Sequence, residues 1–239
     1  MFIYLTAAVV ALSGTASADP MGDLKDNPLF QGSKLTNSCA KKLVKGTTRA
    51  SSEKYVTALV SCLDKTWRPH LKPLYHGDVP GLRIVKDAQC ANSDEKSSTS
   101  LALFCKDLQV QVESDWIKAR DDHAVLREVT WAYGRFVQQA AGITRSYLEF
   151  PSDDAENVWR RPALLSDCLG AAFMKSVWTA QKRSGKEWKV MLTGLKKDEL
   201  TRSGLFGKAA SRVHWYTQGF KTGSPASCNV WKASSSKVA

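Results

Sequence analysis

HAVLREVTWAYGRFVQQAAGI, residues 123–143, is the stretch that decides how this chain folds. Its apolar side chains recur every three or four positions, which is the spacing that places them on one face of an α-helix. That face is formed by Leu126, Val129, Tyr133, Phe136, Val137 and Ala140. The sequence therefore predicts a core helix, whose opposite side carries positions 127, 128, 131, 135 and 138.

Further helices and a small sheet are predicted on both sides of this stretch. Residues 51–71 show the same helical spacing, with Ser51 or Ser52 as N-cap and Pro69 after the end. Other helices are predicted from about residue 160, with Pro162 in the first turn, at about 186–200 and at about 208–220. Three short aliphatic runs, at 81–87, 101–105 and 108–113, predict an antiparallel sheet. The predicted class is α+β.

The length and composition of the chain indicate one globular domain, which we place at residues 19–231. Residues 19–38 lack periodicity and are expected to be extended, and residues 232–239 are expected to form a flexible tail. With 34 Lys and Arg against 23 Asp and Glu, the formal net charge is +11. This charge favours polyanionic surroundings such as nucleic acid, anionic lipid or acidic wall polymers.

The first residues have the pattern of a secretion signal. An uncharged apolar run, FIYLTAAVVALSG, is followed by Ala16-Ser17-Ala18, the small-x-small pattern that signal peptidase requires. The run is shorter than the roughly 20 apolar residues that cross a bilayer, so no stable membrane span is expected. We expect a signal peptide at residues 1–18 and a secreted, extracellular or cell-wall-associated protein. Nucleic acid is then not the expected partner.

Six cysteines occur, at positions 39, 62, 90, 105, 168 and 228, and none forms a C-x-x-C pair. A zinc ribbon and a thioredoxin-like motif are therefore unsupported. In an exported chain the default is three disulfides, although six cysteines allow fifteen pairings and buried free thiols are the alternative. The polar turn between Cys90 and Cys105 favours their pairing across a hairpin. The other pairs are then expected to be Cys39–Cys62 and Cys168–Cys228.

Several segments occur in an order that resembles the neutral zinc metallopeptidase family of bacteria. They are NPLF, YVTALVSCLDKTW, a strand ending in FC, YGRFVQ with a following GI, RRPALLSDCLGA, and SRVHWYTQGF with a later CNVW. Together they extend over nearly all of the chain that follows the signal peptide. The resemblance implies a zincin-like metallopeptidase fold of helices with a small antiparallel sheet, stabilised by disulfides.

The same resemblance places a zinc site on the chain. In the family, the segment matching WAYGRFVQ reads HEYGHHVQ, which puts two imidazole ligands one helical turn apart with a glutamate base beside them. The corresponding residues here are Trp131, Arg135 and Ala132, and the third ligand, a glutamate in R-R-x-E-L-Q-A-D-C, falls on Ala163. Asp167 retains the aspartate of that segment. The resemblance therefore implies a degenerate site with no metal, no other cofactor and no catalytic residue.

No other catalytic pattern is present in the sequence. The four histidines, His70, His76, His123 and His214, lack the spacing of three or four residues that suits a helical metal site. No G-x-S-x-G elbow, phosphate-binding loop or dinucleotide fingerprint occurs. The acidic pairs at 121–122 and 153–154 are interpreted as a helix N-cap and a polar loop, rather than as the acids of a glycosidase.

We expect other interactions to replace the zinc. Arg135 stands at a former ligand position, and its planar guanidinium suits a carboxylate. The sequence therefore predicts that Arg135 pairs with Asp167 and that Trp131 packs beside them. Arg127, Trp131 and Arg135 also follow one another at intervals of four residues, which predicts cation–π stacking.

These features indicate a secreted, catalytically inactive metallopeptidase-like protein, a pseudoenzyme that acts by binding. The expected partner is an unidentified protein or an anionic cell-envelope polymer. Two alternatives stay open: a metallopeptidase with an unusual metal constellation, and a basic wall-associated structural protein held by its positive charge.

Overall fold

The computed structural model describes residues 19–36, 39, 43–75, 77–86, 102–178, 180–204 and 206–239. Its helices are α1 (Pro20–Lys25), α2 (Arg49–Leu71), α3 (Ser114–Lys118), α4 (His123–Ala140), α5 (Ile143–Tyr147), α6 (Arg161–Trp178), α7 (Gly185–Lys197), α8 (Glu199–Ser203), α9 (Ala209–Thr222) and α10 (Ser235–Val238). Its strands are β1 (Leu82–Val85), β2 (Ala102–Phe104) and β3 (Leu108–Gln111). A π-helical turn, Glu156–Arg160, leads into α6, and 3-10 turns span Pro28–Gln31, Pro225–Cys228 and Val230–Lys232. The predicted signal peptide, residues 1–18, lies outside the described residues.

Three helices, α4, α6 and α9, form the centre of the fold. The predicted core face of α4 is confirmed, since all six of its apolar residues are buried. α6 crosses α4 so closely that a Cβ on Gly134 would lie 3.0 Å from the Cα of Ser166. α9 packs on a different face of α6, where a Cβ on Gly219 would lie 2.0 Å from the carbonyl oxygen of Cys168. Because glycine has no Cβ, these backbones can approach each other directly.

The strands form one sheet in the order β1-β3-β2, packed beside α4. β2 is antiparallel to β3, with Phe104 opposite Leu108, whereas β1 is parallel to β3, with Leu82 opposite Leu108. The prediction of an antiparallel sheet is therefore wrong, because the sheet is mixed. Alternation of apolar residues locates strands, but the direction of a pair depends on the connection, and a parallel pair requires a crossover.

Both ends of the described domain are more regular than the sequence predicts. Residues 19–38 are predicted to be extended, yet α1 forms after Asp19, whose side chain accepts a hydrogen bond from the Gly22 N–H at 2.9 Å. Residues 232–239 are predicted to be a flexible tail, yet they include α10. There Val238 is buried, and the Ala239 carbonyl accepts a hydrogen bond from the Lys208 N–H at 3.0 Å. Helices as short as these give no periodic pattern in the sequence.

Helix α2 is longer than predicted at both ends. It begins after Thr48, and the Thr48 and Ser51 side chains each accept a hydrogen bond from the other's backbone N–H, at 3.2 and 3.1 Å. It continues past Pro69 to Leu71. Proline lacks the N–H of an ordinary helical residue, so the last turn depends on the burial of Leu71, which is 4% exposed.

Two disulfides connect separate parts of the domain. Cys39–Cys62 attaches the segment before α2 to that helix, and Cys168–Cys228 joins α6 to the turn after α9, with Cα–Cα distances of 5.0 and 5.5 Å. Both predicted pairs are confirmed. Cys105 is disulfide-bonded as well, but its predicted partner, position 90, lies outside the described residues. Among the described helices, none combines the length and the apolar character needed to cross a bilayer.

Candidate functional site

On the side of α4 opposite the predicted core face, position 138 is covered by α6. Gln138 is fully buried, and its amide nitrogen donates to Ser166 Oγ at 2.8 Å and to the Pro162 carbonyl at 3.0 Å. Position 138 is therefore part of the core, although it lies opposite the predicted core face. α4 is a central helix with neighbours on opposite sides, and its amphipathic pattern reveals only one of them.

Three of the four positions that the resemblance assigns to a zinc site contribute to packing. Trp131 is half-buried and packs edge to face on Phe206, with ring centroids 6.4 Å apart. Ala132 and Ala163 are both buried. An alanine side chain has neither a metal donor atom nor a proton acceptor, and an indole N–H can only donate. These positions therefore supply no ligand and no general base.

Arg135 does not pair with Asp167, so that prediction is wrong. Its Nη2 donates to the Tyr147 hydroxyl at 2.8 Å, and its guanidinium carbon lies 5.7 Å from the centre of the Tyr147 ring. In the described part of the chain, the predicted stacking of Arg127 and Arg135 on Trp131 is not formed either. Position 135 faces α5, which supplies a tyrosine as its partner.

Asp167 is bound instead by an arginine of α9. Arg212 donates from Nε to Oδ2 and from Nη2 to Oδ1 of Asp167, both at 2.8 Å, and each residue is 1% exposed. This bidentate geometry is among the strongest arrangements of a guanidinium and a carboxylate. Asp167 therefore has an arginine partner, but that partner is Arg212 of α9 and not the predicted Arg135.

A second carboxylate extends this buried network. Arg212 Nη1 donates to Asp198 Oδ1 at 2.6 Å and to Thr201 Oγ1 at 2.8 Å. Asp198 Oδ2 lies 3.7 Å from Arg127 Nε, and neither of these two buried atoms has a hydrogen-bond partner. Arg127 Nη2 also lies 3.5 Å from Glu128 Oε1. The five charged side chains therefore connect α4, α6, α9 and the N-cap of α8.

Burial and mutual charge shift the titration of this network. Burial acts to lower the pKa of Arg212, but the charge and hydrogen bonds of Asp167 act more strongly and raise it. Burial raises the pKa of Glu128, and the charge of Arg127 opposes that shift only in part. Arg212 therefore stays charged. Burial raises the pKa of Asp167, and the charge and hydrogen bonds of Arg212 oppose that shift, so this carboxylate is engaged by Arg212 rather than available to a substrate.

A pocket of about 420 Å³ opens at the N-terminal end of α4. Three segments form its walls: residues 43–45, residues 120–123 and residues 181–183, with Glu187 from α7. Its charged residues are Lys45, Arg120, Asp121, Asp122, Lys182, Arg183 and Glu187. Lys182 has a φ of 55°, which is uncommon for a residue with a side chain and fixes the shape of this wall.

Asp122 anchors the wall of this pocket. Both Nη atoms of Arg183 donate to its carboxylate, and the Tyr55 hydroxyl donates to Oδ2 at 2.7 Å. Burial acts to raise the pKa of Asp122, but the hydrogen bonds and charge of Arg183 outweigh it and lower the pKa. Asp122 occupies the N-cap position as predicted, although Asp121 makes the hydrogen bond, accepting from the His123 N–H at 3.1 Å.

The described histidines lie on three different helices. His70 belongs to α2, His123 to α4 and His214 to α9, while position 76 lies outside the described residues. Within the described residues, no three His, Cys, Asp or Glu side chains are grouped as metal ligands. Burial lowers the pKa of both His70 and His214.

Sequence reasoning missed Arg212 and the pocket. One signal was available for Arg212, because it shares the buried face of α9 with Trp215, Tyr216 and Gly219, and a charged residue on such a face requires a partner. The pocket gave no signal, because its three segments are far apart in the sequence.

Comparison of the chain with protein-family models, curated proteins and solved structures finds no match.

Proposed function

We propose that this chain is a secreted, non-catalytic relative of the zinc metallopeptidases that acts by binding. The observation that carries the proposal is the chemistry of the four positions that the resemblance assigns to zinc and its base. Trp131, Ala132 and Ala163 pack in the protein, and Arg135 is a permanent cation that repels a metal ion.

The surroundings of the retained aspartate support the same conclusion. In the resembling enzymes Asp167 would belong to a metal-centred anionic cluster. Here Arg212 occupies both of its carboxylate oxygens. A carboxylate neutralised by a bidentate arginine is a poor ligand and a poor base, since both functions need a free lone pair directed at the reacting group.

The proposal includes export of the chain and binding to an anionic partner. The disulfides Cys39–Cys62 and Cys168–Cys228 suit an oxidising compartment. The net charge of +11 favours an anionic surface, so the partner is a cell-envelope polymer or an acidic protein.

The first prediction concerns proteolysis. Casein incubated with the purified chain is expected to stay intact, and a chelator is expected to change nothing, because no residue at the former site activates water. A matched variant restores the family residues through Trp131→His, Ala132→Glu, Arg135→His and Ala163→Glu. Casein cleavage by the unmodified chain that a chelator abolishes would contradict the proposal.

A further inference from the structure

We propose that the pocket at the start of α4 binds a small oxyanion, the carboxylate or phosphate group of an organic ligand. Its volume of about 420 Å³ lies in the range of small-molecule sites. The proposal goes beyond the loss of peptidase chemistry and does not depend on it, since no residue of the pocket stands at a former zinc position.

The most specific observation is a buried amide donor without a partner. Gln181 lines the pocket and is 5% exposed, and its Oε1 accepts a hydrogen bond from Arg183 Nε at 3.2 Å. Because Nε–H can only donate, this bond fixes which end of the amide carries the oxygen. Gln181 Nε2 is thereby left as a buried donor with no partner in the described structure. An acceptor atom in the pocket would recover the free energy that such a donor loses on burial.

Two cations on the pocket wall supply the charge for an anion. Arg120 and Lys182 are exposed, and neither forms an ion pair with the described residues. A guanidinium and an ammonium together with an amide N–H are the donor groups that carboxylates and phosphates bind. These three side chains lie on two of the three segments that form the pocket.

The carboxylates of the pocket are already bound within the protein. Asp122 accepts from Tyr55 and twice from Arg183. Glu187 accepts from the backbone N–H of Ser184 at 2.6 Å and lies 3.6 Å from Arg183. Asp121 is exposed, and its Oδ1 accepts from the His123 backbone N–H at 3.1 Å, so it leaves one carboxylate on the wall without a cation. The four cations of the lining, Lys45, Arg120, Lys182 and Arg183, still outnumber the three carboxylates, so the charge that a ligand meets is positive on balance.

The Arg183 side chain makes this arrangement rigid. Besides its bonds to Asp122 and Gln181, its guanidinium carbon lies 5.4 Å from the centre of the Trp178 ring. A donor held in place before binding loses little conformational freedom when a ligand arrives. Gln181 is therefore oriented in advance for an acceptor.

The test uses the full mature chain, with inorganic phosphate and succinate as separate probes, in calorimetric titration and in ¹H–¹⁵N NMR. We expect saturable binding of at least one probe, with shifts of the Gln181 side-chain amide and of the residue 182 backbone amide. The stronger probe identifies whether the ligand group is a phosphate or a carboxylate.

Two variants locate the site. Gln181→Glu keeps an acceptor for Arg183 but replaces the donor, and Lys182→Gln removes one exposed charge. Each is expected to raise Kd roughly tenfold or more, the usual effect of losing a hydrogen bond to a charged group. Lys186→Gln removes an equally exposed charge outside the pocket lining and should leave Kd unchanged.

The proposal is overturned if neither probe binds saturably, or if Lys186→Gln weakens binding as much as Lys182→Gln does. If Gln181→Glu does not fold, as judged by its melting transition, Lys182→Gln and its control decide the outcome alone. These results are independent of zinc content and casein cleavage.

Discussion

Asp167 is held by an arginine that lies 45 positions later in the chain, and this pair joins α6 to α9. Both side chains are buried, so each depends on the other for compensation of its charge. Arg135 is half-buried and forms a hydrogen bond to the hydroxyl of the buried Tyr147. Single residues therefore differ sharply in what they contribute: Arg212 is central to stability and Arg135 is peripheral.

The second prediction follows from that difference. Arg212→Ala should lower the free energy of unfolding by about 3–5 kcal/mol, because it leaves Asp167 buried and unpaired. Arg135→Ala, the matched control, should cost about 1 kcal/mol, as for an ordinary hydrogen bond. Replacing both members of the buried pair, by Asp167→Leu with Arg212→Met, should cost much less than Arg212→Ala alone. Urea unfolding checks all three, and equal losses for Arg212→Ala and Arg135→Ala would refute this assignment.

The third prediction concerns pH and Asp122. Its pKa is lower in the folded chain than in the unfolded one, so its ionised form stabilises the fold above the unfolded pKa, which is about 4. That stabilisation is lost as pH falls through the folded pKa. The difference in unfolding free energy between the wild type and Asp122→Asn should be constant near neutral pH and shrink below about pH 4. A difference that stays constant down to pH 2 would exclude this role.

At the scale of helices, direct backbone contact fixes how α4, α6 and α9 cross. Gly134 and Gly219 permit this contact, and the buried network of Arg212 then lies between the same helices. Amphipathic spacing predicted α4 and its core face correctly, because burial along a helix follows its period. It could not predict that α6 covers position 138 or that α5 faces Arg135, since neighbours in space leave no period in the sequence.

The fourth prediction tests the close contact of α6 and α9. Gly219→Ala should destabilise the chain by about 1–3 kcal/mol or more, because the new Cβ would lie 2.0 Å from the Cys168 carbonyl oxygen. Gly185→Ala is the matched control, since a Cβ there would meet no atom within 4 Å. It should leave stability unchanged or raise it by about 0.5–1 kcal/mol, through the higher helix propensity of alanine. Similar thermal unfolding of the two variants would contradict the crossing geometry.

At the scale of the whole molecule, two described disulfides join separate segments of a mostly helical fold, and the chain carries a formal charge of +11. The sequence predicted the class, the five longest helices and two disulfides, because these follow from local patterns and from the positions of the cysteines. It did not predict the mixed sheet, the docked C-terminal helix or the α4 pocket, because each depends on segments far apart in the chain. The predicted pairing of Asp167 with Arg135 was wrong, because the partner of Asp167 is Arg212 of another helix.

The most direct test of the central claim is the zinc content of the chain. Untagged protein is equilibrated with excess zinc, dialysed, and measured by inductively coupled plasma mass spectrometry beside the four-residue restoration variant. The unmodified chain is expected to retain far less than one zinc per molecule, because Trp131, Ala132 and Ala163 offer no ligand atom and Arg135 carries a permanent positive charge. One zinc per chain, lost on exposure to a chelator, would contradict the account.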